Sequence, residues 1–278
     1  MLADQLQAAR TLLFVPGHRP DRFAKAAASG ADRIILDLED AVGPDHKDEA
    51  RAHAATWLAA HDTALVRINP PGTAAHDDDL AALHTRLRAV VLPKASSQSV
   101  ADVAGKLPAQ CRIVALVETA TGVLQAPAIA AHPSVVRLAL GNVDLGAELG
   151  VDPDDRQALL WARSLLVLAS ASAALASPVD GVTTSISDPD RVRADTEHAA
   201  SLGFSGKLCI HPSQIDPAHL ALAPTDAQLA EAERIIEAAG DGDVTVLDGK
   251  MLDKPVIVRA RSLIAGANNS PGPLGAKP

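Results

Sequence analysis

The sequence predicts an α/β fold, a (β/α)8 TIM-type barrel followed by a C-terminal helical extension. Three observations point there. Eight short runs rich in Val, Ile and Leu recur along the 278 residues, with Ala-rich helical stretches between them. The runs are continuously apolar rather than alternating, as parallel strands covered on both faces are. No Gly-x-Gly-x-x-Gly follows the first run, which removes the main support for an open doubly wound sheet. One closed barrel of about 250 residues suits the length.

In chain order, strands are expected at 11–15, 33–38, 64–68, 89–92, 112–117, 135–140, 179–183 and 207–210. Helices are expected between them at 21–28, 47–60, 80–88, 100–107, 123–131, 154–175 and 189–202. The barrel is assigned to 1–225. A further amphipathic helix at 226–239, a Gly/Asp-rich turn, a short segment at 244–255 and a last helix at 256–267 form an extension of the same domain. The Pro-containing, weakly apolar tail 268–278 reads as disordered.

Composition excludes several functions. Lys and Arg sum to 25 against 34 Asp and Glu, for a net charge of -9, and aromatic residues are 2% with no Tyr. Such a chain lacks both the basic face that tracks phosphates and the aromatic platforms that stack bases, so nucleic acid is not an expected partner. The longest apolar stretch, 165–176, is broken by Ser170 and Ser172 and falls short of the roughly 20 residues of a membrane span. Cys111 and Cys209 cannot build a disulfide framework or a cysteine zinc site, and residues 1–10 carry Asp4, Gln5 and Gln7 where a signal peptide would be basic and then apolar. The expected setting is the reducing cytoplasm.

Barrel enzymes keep their chemistry at the C-terminal ends of the strands. Those positions here are Pro16-Gly17, Asp37 to Asp40, Arg67 to Asn69, Pro93-Lys94, Glu118-Thr119, Gly141 to Asp144, Asp180 and His211-Pro212. Glu118 and Asp144 end neighbouring strands about 4.8 Å apart, so both can reach one divalent cation of the Mg²⁺ type, which takes carboxylate and water oxygens. They could equally cap helices or pair with Arg67. Arg67 either neutralises the acidic mouth or binds a carboxylate or developing oxyanion. Asp37, Glu39 and Asp40 read as residues that orient their neighbours and cap helices, with Asp37 and Glu39 on one side and Leu38 on the other. Lys94 is open to imine chemistry or to an ion pair with Glu118 or Asp37, and the ion pair is preferred. His211 reads as a turn residue before it reads as a base. His53, His61, His76 and His84 are expected on polar helix faces.

A series of motifs carries a family resemblance. Thr11-Leu-Leu-Phe-Val-Pro-Gly, Ile35-Leu-Asp-Leu-Glu-Asp-Ala-Val, Val66-Arg-Ile-Asn, Leu92-Pro-Lys and Val117-Glu-Thr-Ala occur in this order. Gly141-Asn-Val-Asp-Leu, Cys209-Ile-His-Pro-Ser-Gln-Ile and Gly249-Lys-Met-Leu-Asp-Lys-Pro complete it. Over residues 10–265 the chain resembles the citrate lyase β-subunit-like members of the HpcH/HpaI aldolase superfamily. The resemblance implies a Mg²⁺-dependent lyase that cleaves a 3-hydroxyacyl-CoA thioester into acetyl-CoA and a 2-oxo acid, or runs the reverse condensation. It further implies that Glu118 and Asp144 hold the metal, that Arg67 contacts substrate, and that Gly141, Asn142 and Val143 receive the 2-oxo acid carboxylate beside Glu118. Asp253 then acts as the proton-transferring acid from a C-terminal lid, in a homo-oligomer, trimer or hexamer. A malyl-CoA-type thioesterase at the same site, or a citrate lyase subunit inactive without partners, are the alternatives.

Two features qualify the resemblance. Val143 stands where relatives often carry Glu, which removes an acid beside Asp144. Glu39 is followed by Asp40 rather than by the His of relatives that cleave free 4-hydroxy-2-oxo acids, and together with the Asp253 motif this points to the CoA branch. For the CoA phosphates, Arg19, Arg22 and Lys25 are contributors or merely a solvated helix face.

Overall fold

Eight parallel strands close on themselves in sequence order in the computed structural model, which describes residues 2–61, 64–240 and 245–268. They are β1 (Thr11–Pro16), β2 (Arg33–Asp37), β3 (Leu65–Arg67), β4 (Ala89–Leu92), β5 (Arg112–Val117), β6 (Val135–Leu140), β7 (Val179–Asp180) and β8 (Gly206–Cys209). Closure is made by β8 against β1, with Thr11 beside Lys207 and Leu13 beside Cys209. The TIM-type barrel expected from the apolar runs is therefore the fold.

Alternation sorts each strand's side chains into two cores. Leu12, Ile35, Leu65, Val91, Val114, Leu116, Ala139, Val179 and Leu208 meet inside the barrel. Their neighbours Leu13, Leu36, Val66, Val90, Ile113, Ala115, Leu138 and Cys209 point outward and pack under the helices. Leu38 joins the outer set, so Asp37 and Glu39 are left facing the mouth, as alternation predicted.

The helices are α1 (Leu2–Ala8), α2 (Phe23–Ala27), α3 (Lys47–Ala60), α4 (Ala74–Leu83), α5 (Ser97–Lys106), α6 (Ala120–Leu124), α7 (Ala126–Ala130), α8 (Asn142–Leu149), α9 (Leu160–Ser172), α10 (Pro189–Leu202) and α11 (Ile215–Leu222). α3 and α10 coincide with expectation, while α4 starts six residues before its expected 80 because Thr73 caps it, its hydroxyl accepting from His76 N–H. α1 brings Leu6 into the interior core at the end opposite the mouth. There the fully buried Arg137 of β6 donates to the carbonyls of Leu6 and Ala9, to Ser177 O at 2.8 Å and to Ser205 Oγ at 2.8 Å.

The chain divides into two compact units at Leu220/Ala221. In the second, α12 (Asp226–Ala239) opens on a capping box of Thr225 and Gln228 and packs on α13 (Lys254–Asn268). Between these helices in sequence, β9 (Thr245–Leu247) and β10 (Lys250–Leu252) form an antiparallel hairpin where the sequence showed only a short segment. The expected tail beyond Asn268 lies outside the described residues. Among those residues no helix is long and apolar enough to cross a membrane.

Candidate active site

Arg67 is the centre of the barrel mouth. Asp37 and Arg67 are register partners at the ends of β2 and β3. The guanidinium meets the carboxylate as a fork, Nε to Oδ1 at 2.7 Å and Nη2 to Oδ2 at 2.5 Å. Nη1 lies 2.9 Å from Glu39 Oε2 and 3.8 Å from Asp40 Oδ2. Its planar face lies over the Phe14 ring, 4.8 Å from the centroid. Asp37 is held in turn by the backbone N–H groups of Glu39 and Ala41. Burial alone would lower the Arg67 pKa, but its bonds to Asp37 and the charges of Glu39 and Glu118 outweigh it and raise it. Arg67 is thus a permanent cation whose orientation Asp37 sets.

Glu118 follows β5 and is buried, with 3% of its side chain exposed. Its Oε1 accepts the Lys94 backbone N–H at 2.8 Å. Burial, aided by the charges of Glu39 and Asp144, pushes its carboxyl up to about 8 against the opposing Lys94 N–H. Asp144 lies in the first turn of α8, one turn past the end of β6, and its side chain is 37% exposed. Gly141 is where the backbone must be bare: a Cβ there would stand 2.4 Å from Glu118 Cβ and 2.5 Å from its Oε2. Asn142 is buried and donates to Val182 O at 3.1 Å, while Val143 is exposed.

Arg67, Glu118, Gly141, Asn142, Val143 and Asp144 all line one cavity of about 80 Å³, together with Phe14, Leu116 and Leu208. Six positions from three separate sequence motifs converge there. Asp253 belongs to the second unit, where its Oδ1 accepts from Val256 N–H at 3.3 Å at the start of α13.

Lys94 has more partners at the mouth than the sequence indicated. Its ammonium lies 3.0 Å from Glu39 Oε1, 3.1 Å from Asp144 Oδ2 and 3.8 Å from Glu118 Oε1. The expected ion pair with Glu118 is present, but Asp37 is committed to Arg67, so the alternative partner is not used. Burial would lower Lys94, but the Glu39 bond and the charges of Glu39 and Glu118 outweigh it and raise it well above the ordinary lysine value. A firmly protonated amine is not an imine-forming nucleophile.

Among the described residues no three His, Cys, Asp or Glu side chains form a ready metal cage. The donor set nevertheless suits Mg²⁺: two carboxylates, Glu118 and Asp144, already converge on one cation, the Lys94 ammonium, and leave the other positions to water and substrate oxygens.

Two other expectations meet different outcomes. His76 is not a surface residue: it is 1% exposed, and its Nδ1 lies 2.9 Å from Asn69 O, because α4 begins early enough to turn it under the β3 end. His211 caps the turn after β8 through Ser213 N–H, as a turn residue does. Of the basic residues after β1, Arg19 is spent on Asp21, while Arg22 and Lys25 are exposed.

Fold and site together define a class: a closed parallel barrel with an arginine and carboxylate cluster at the C-terminal strand ends, where barrel enzymes act. Residues 10–212 match the family model for HpcH/HpaI aldolase/citrate lyase. The chain is 36% identical over 280 residues to the citrate lyase subunit beta-like protein of Deinococcus radiodurans, covering 92% of this chain and 96% of that one. It is also 36% identical over 281 residues to a (3S)-malyl-CoA thioesterase of Cereibacter sphaeroides, covering 96% and 97%. A crystal structure of protein CitE from Mycobacterium tuberculosis in complex with magnesium, acetoacetate and coenzyme A superposes with a TM-score of 0.83 at 35% identity, over 95% of this chain and all of that one. The chain belongs to the HpcH/HpaI aldolase/citrate lyase family.

Proposed function

We propose that this chain is a Mg²⁺-dependent acyl-CoA lyase that cleaves a 3-hydroxyacyl-CoA thioester into acetyl-CoA and a 2-oxo acid, and catalyses the reverse condensation. The observation that carries the reading is the convergence of Arg67, Glu118 and Asp144 with the Gly141–Val143 backbone on one cavity. Glu118 and Asp144 hold the metal in this reading; when bound, Mg²⁺ supplies Lewis-acid polarisation of keto and carboxylate oxygens.

The remaining work falls to the chain's own groups. A guanidinium has five N–H donors, and the fork to Asp37 occupies two, while Glu39 Oε2 lies beside Nη1 as an ion pair without a hydrogen bond. The others are free to bind an oxygen as it gains charge, which is worth about 3 kcal/mol per donor in such sites. Asp37 fixes the plane of the guanidinium, so no reorientation is needed as that charge develops. The Gly141–Val143 segment, opening α8, receives the 2-oxo acid carboxylate beside a helix N-terminus. In condensation Asp253 takes a proton from the acetyl methyl group, the enolate carbon bonds to the keto carbon, and the resulting alkoxide takes a proton from water. In cleavage the hydroxyl proton goes to water as the C–C bond breaks, and Asp253 returns a proton to the enolate carbon. The working form is a homo-oligomer, trimer or hexamer, in the cytoplasm.

The likeness to (3S)-malyl-CoA thioesterases supports a second reading, hydrolysis of the thioester at the same site. Incubation with malyl-CoA or citramalyl-CoA and Mg²⁺ separates them: acetyl-CoA plus 2-oxo acid marks the lyase, free CoA plus hydroxy acid the thioesterase. Asp144→Ala is expected to abolish the Mg²⁺-dependent reaction while leaving the melting temperature nearly unchanged. Turnover only after addition of other citrate lyase subunits would refute the stand-alone lyase.

A further inference from the structure

We infer that Lys94 is the resident counter-ion of the metal-holding carboxylates, and that its ammonium and a divalent cation occupy the Glu118–Asp144 pair in exchange for one another. This rests on the assignment of that pair to the metal and goes beyond it, giving Lys94 a positioning role.

Several independent features fit Lys94 for the exchange. Its ammonium touches Asp144 and Glu39 and lies 3.8 Å from Glu118, so it reaches both carboxylates that a shared cation would need. Its backbone is anchored: the N–H donates to Glu118 Oε1 at 2.8 Å, and the next residue, Ala95, donates to Leu116 O at 3.1 Å. Gly122 presses against the same loop, since a Cβ there would stand 2.6 Å from Ala95 O. Lys94 itself has φ 48°, a left-handed conformation that L side chains resist, so the surroundings hold it there. The side chain above this fixed backbone reaches solvent. It is 40% exposed, against 3% for Glu118, so the ammonium can pass into water while the buried carboxylate stays.

The geometry supplies such a partner. Glu39, Glu118 and Asp144 face one another, and Arg67 is committed to Asp37 and Glu39. Without Lys94, the metal-free protein would hold Glu118 and Asp144 with no cation between them. With it, an entering dication must displace an ammonium and then share the site with a nearby positive charge. Removing that charge therefore tightens metal binding, and loosens the metal-free mouth.

Isothermal titration of Mg²⁺ alone into wild type, Lys94→Met, Lys94→Gln and Lys94→Arg, at fixed pH and ionic strength, tests this. Lys94→Met and Lys94→Gln are expected to bind Mg²⁺ about tenfold tighter, or about 1.4 kcal/mol, and Lys94→Arg to stay near wild type. Melting in EDTA is expected to be lower for the two neutral variants, with a larger gain on adding Mg²⁺. If the neutral variants fold and bind Mg²⁺ no more tightly than wild type, the exchange is refuted and the lyase reading stands. If neither wild type nor any variant binds Mg²⁺, the metal assignment and the exchange fall together.

Discussion

Gly141→Ala tests the site with the smallest possible change. Gly141 has φ −98°, a conformation alanine adopts freely, so any effect comes from the added methyl group and not from backbone strain. That methyl would stand 2.4 Å from Glu118 Cβ, about 1 Å inside ordinary carbon contact. Glu118 Cβ cannot retreat, because it is bonded to the end of β5, whose Val117 O accepts the Gly141 N–H at 2.9 Å. Relief comes from parting β5 and β6 at their C-terminal ends, or from swinging the Glu118 carboxylate off the Lys94 N–H. Overpacking of this size costs about 1–3 kcal/mol, which a barrel survives. A 1 Å displacement of a catalytic group costs about 100-fold in rate. The variant is therefore expected to fold, with about 100-fold slower cleavage and weaker Mg²⁺ binding. Gly105→Ala is the control, since a Cβ there meets nothing within 4 Å and α5 gains helix propensity. Wild-type turnover and Mg²⁺ affinity in Gly141→Ala would show that Glu118 does not depend on this close approach.

Arg67→Lys keeps the charge but loses the fork to Asp37, and is expected to lower kcat about 100- to 1000-fold with little change in melting temperature; a loss confined to KM would mean that Arg67 only binds. Arg137→Met orphans the carbonyls of Leu6 and Ala9 at a fully buried position, while Ser177 O keeps Ser205 Oγ, and is expected to cost about 2–4 kcal/mol in urea unfolding; a cost below about 1 kcal/mol would refute the role. Asp32 is the pH-dependent case. Burial raises its pKa, but hydrogen bonds from His219 and from the Thr11 and Arg10 N–H groups prevail and hold it at about 2. Its stabilisation is complete above the ordinary value of 3.8 and is lost as pH falls through about 2. The stability gap between wild type and Asp32→Asn should accordingly shrink as pH drops from 5 towards about 2, and a gap constant over that range would exclude the ionised carboxylate as its source.

The strands were legible because the interior and outer cores both need apolar side chains, so each buried strand is written as one continuous run. The helices were less so. α8 was hidden because its eight residues begin at the last residues of a strand-end motif and carry Gly146, which a helix ordinarily disfavours. Gly146 is used there because a Cβ would stand 3.1 Å from Val151 O and 3.2 Å from Pro153. The 154–159 stretch, expected as helix, instead forms turns held by Asp152 and Asp155 side chains accepting backbone N–H groups.

The site residues were legible for a different reason: the barrel gathers strand ends whatever the loops do, so charged residues at those ends must meet. What the sequence could not disclose is which charges pair once gathered, since that depends on contacts between loops far apart in the chain. Asp79 shows this. It lies on α4, is fully buried, and accepts from Asn69 N–H and Nδ2 at 2.8 and 2.7 Å and from Arg51 at 3.3 Å. Asn69 Oδ1 accepts from Lys47 Nζ, which also donates to the carbonyls of Leu38 and Glu39. An acid in a run of three on a helix reads as solvated surface, yet this one anchors a chain of hydrogen bonds that ends on the residue holding Arg67 and Lys94. Such a chain is visible only when α3, α4 and the ends of β2 and β3 are placed together, because each of its links joins residues that no local periodicity relates.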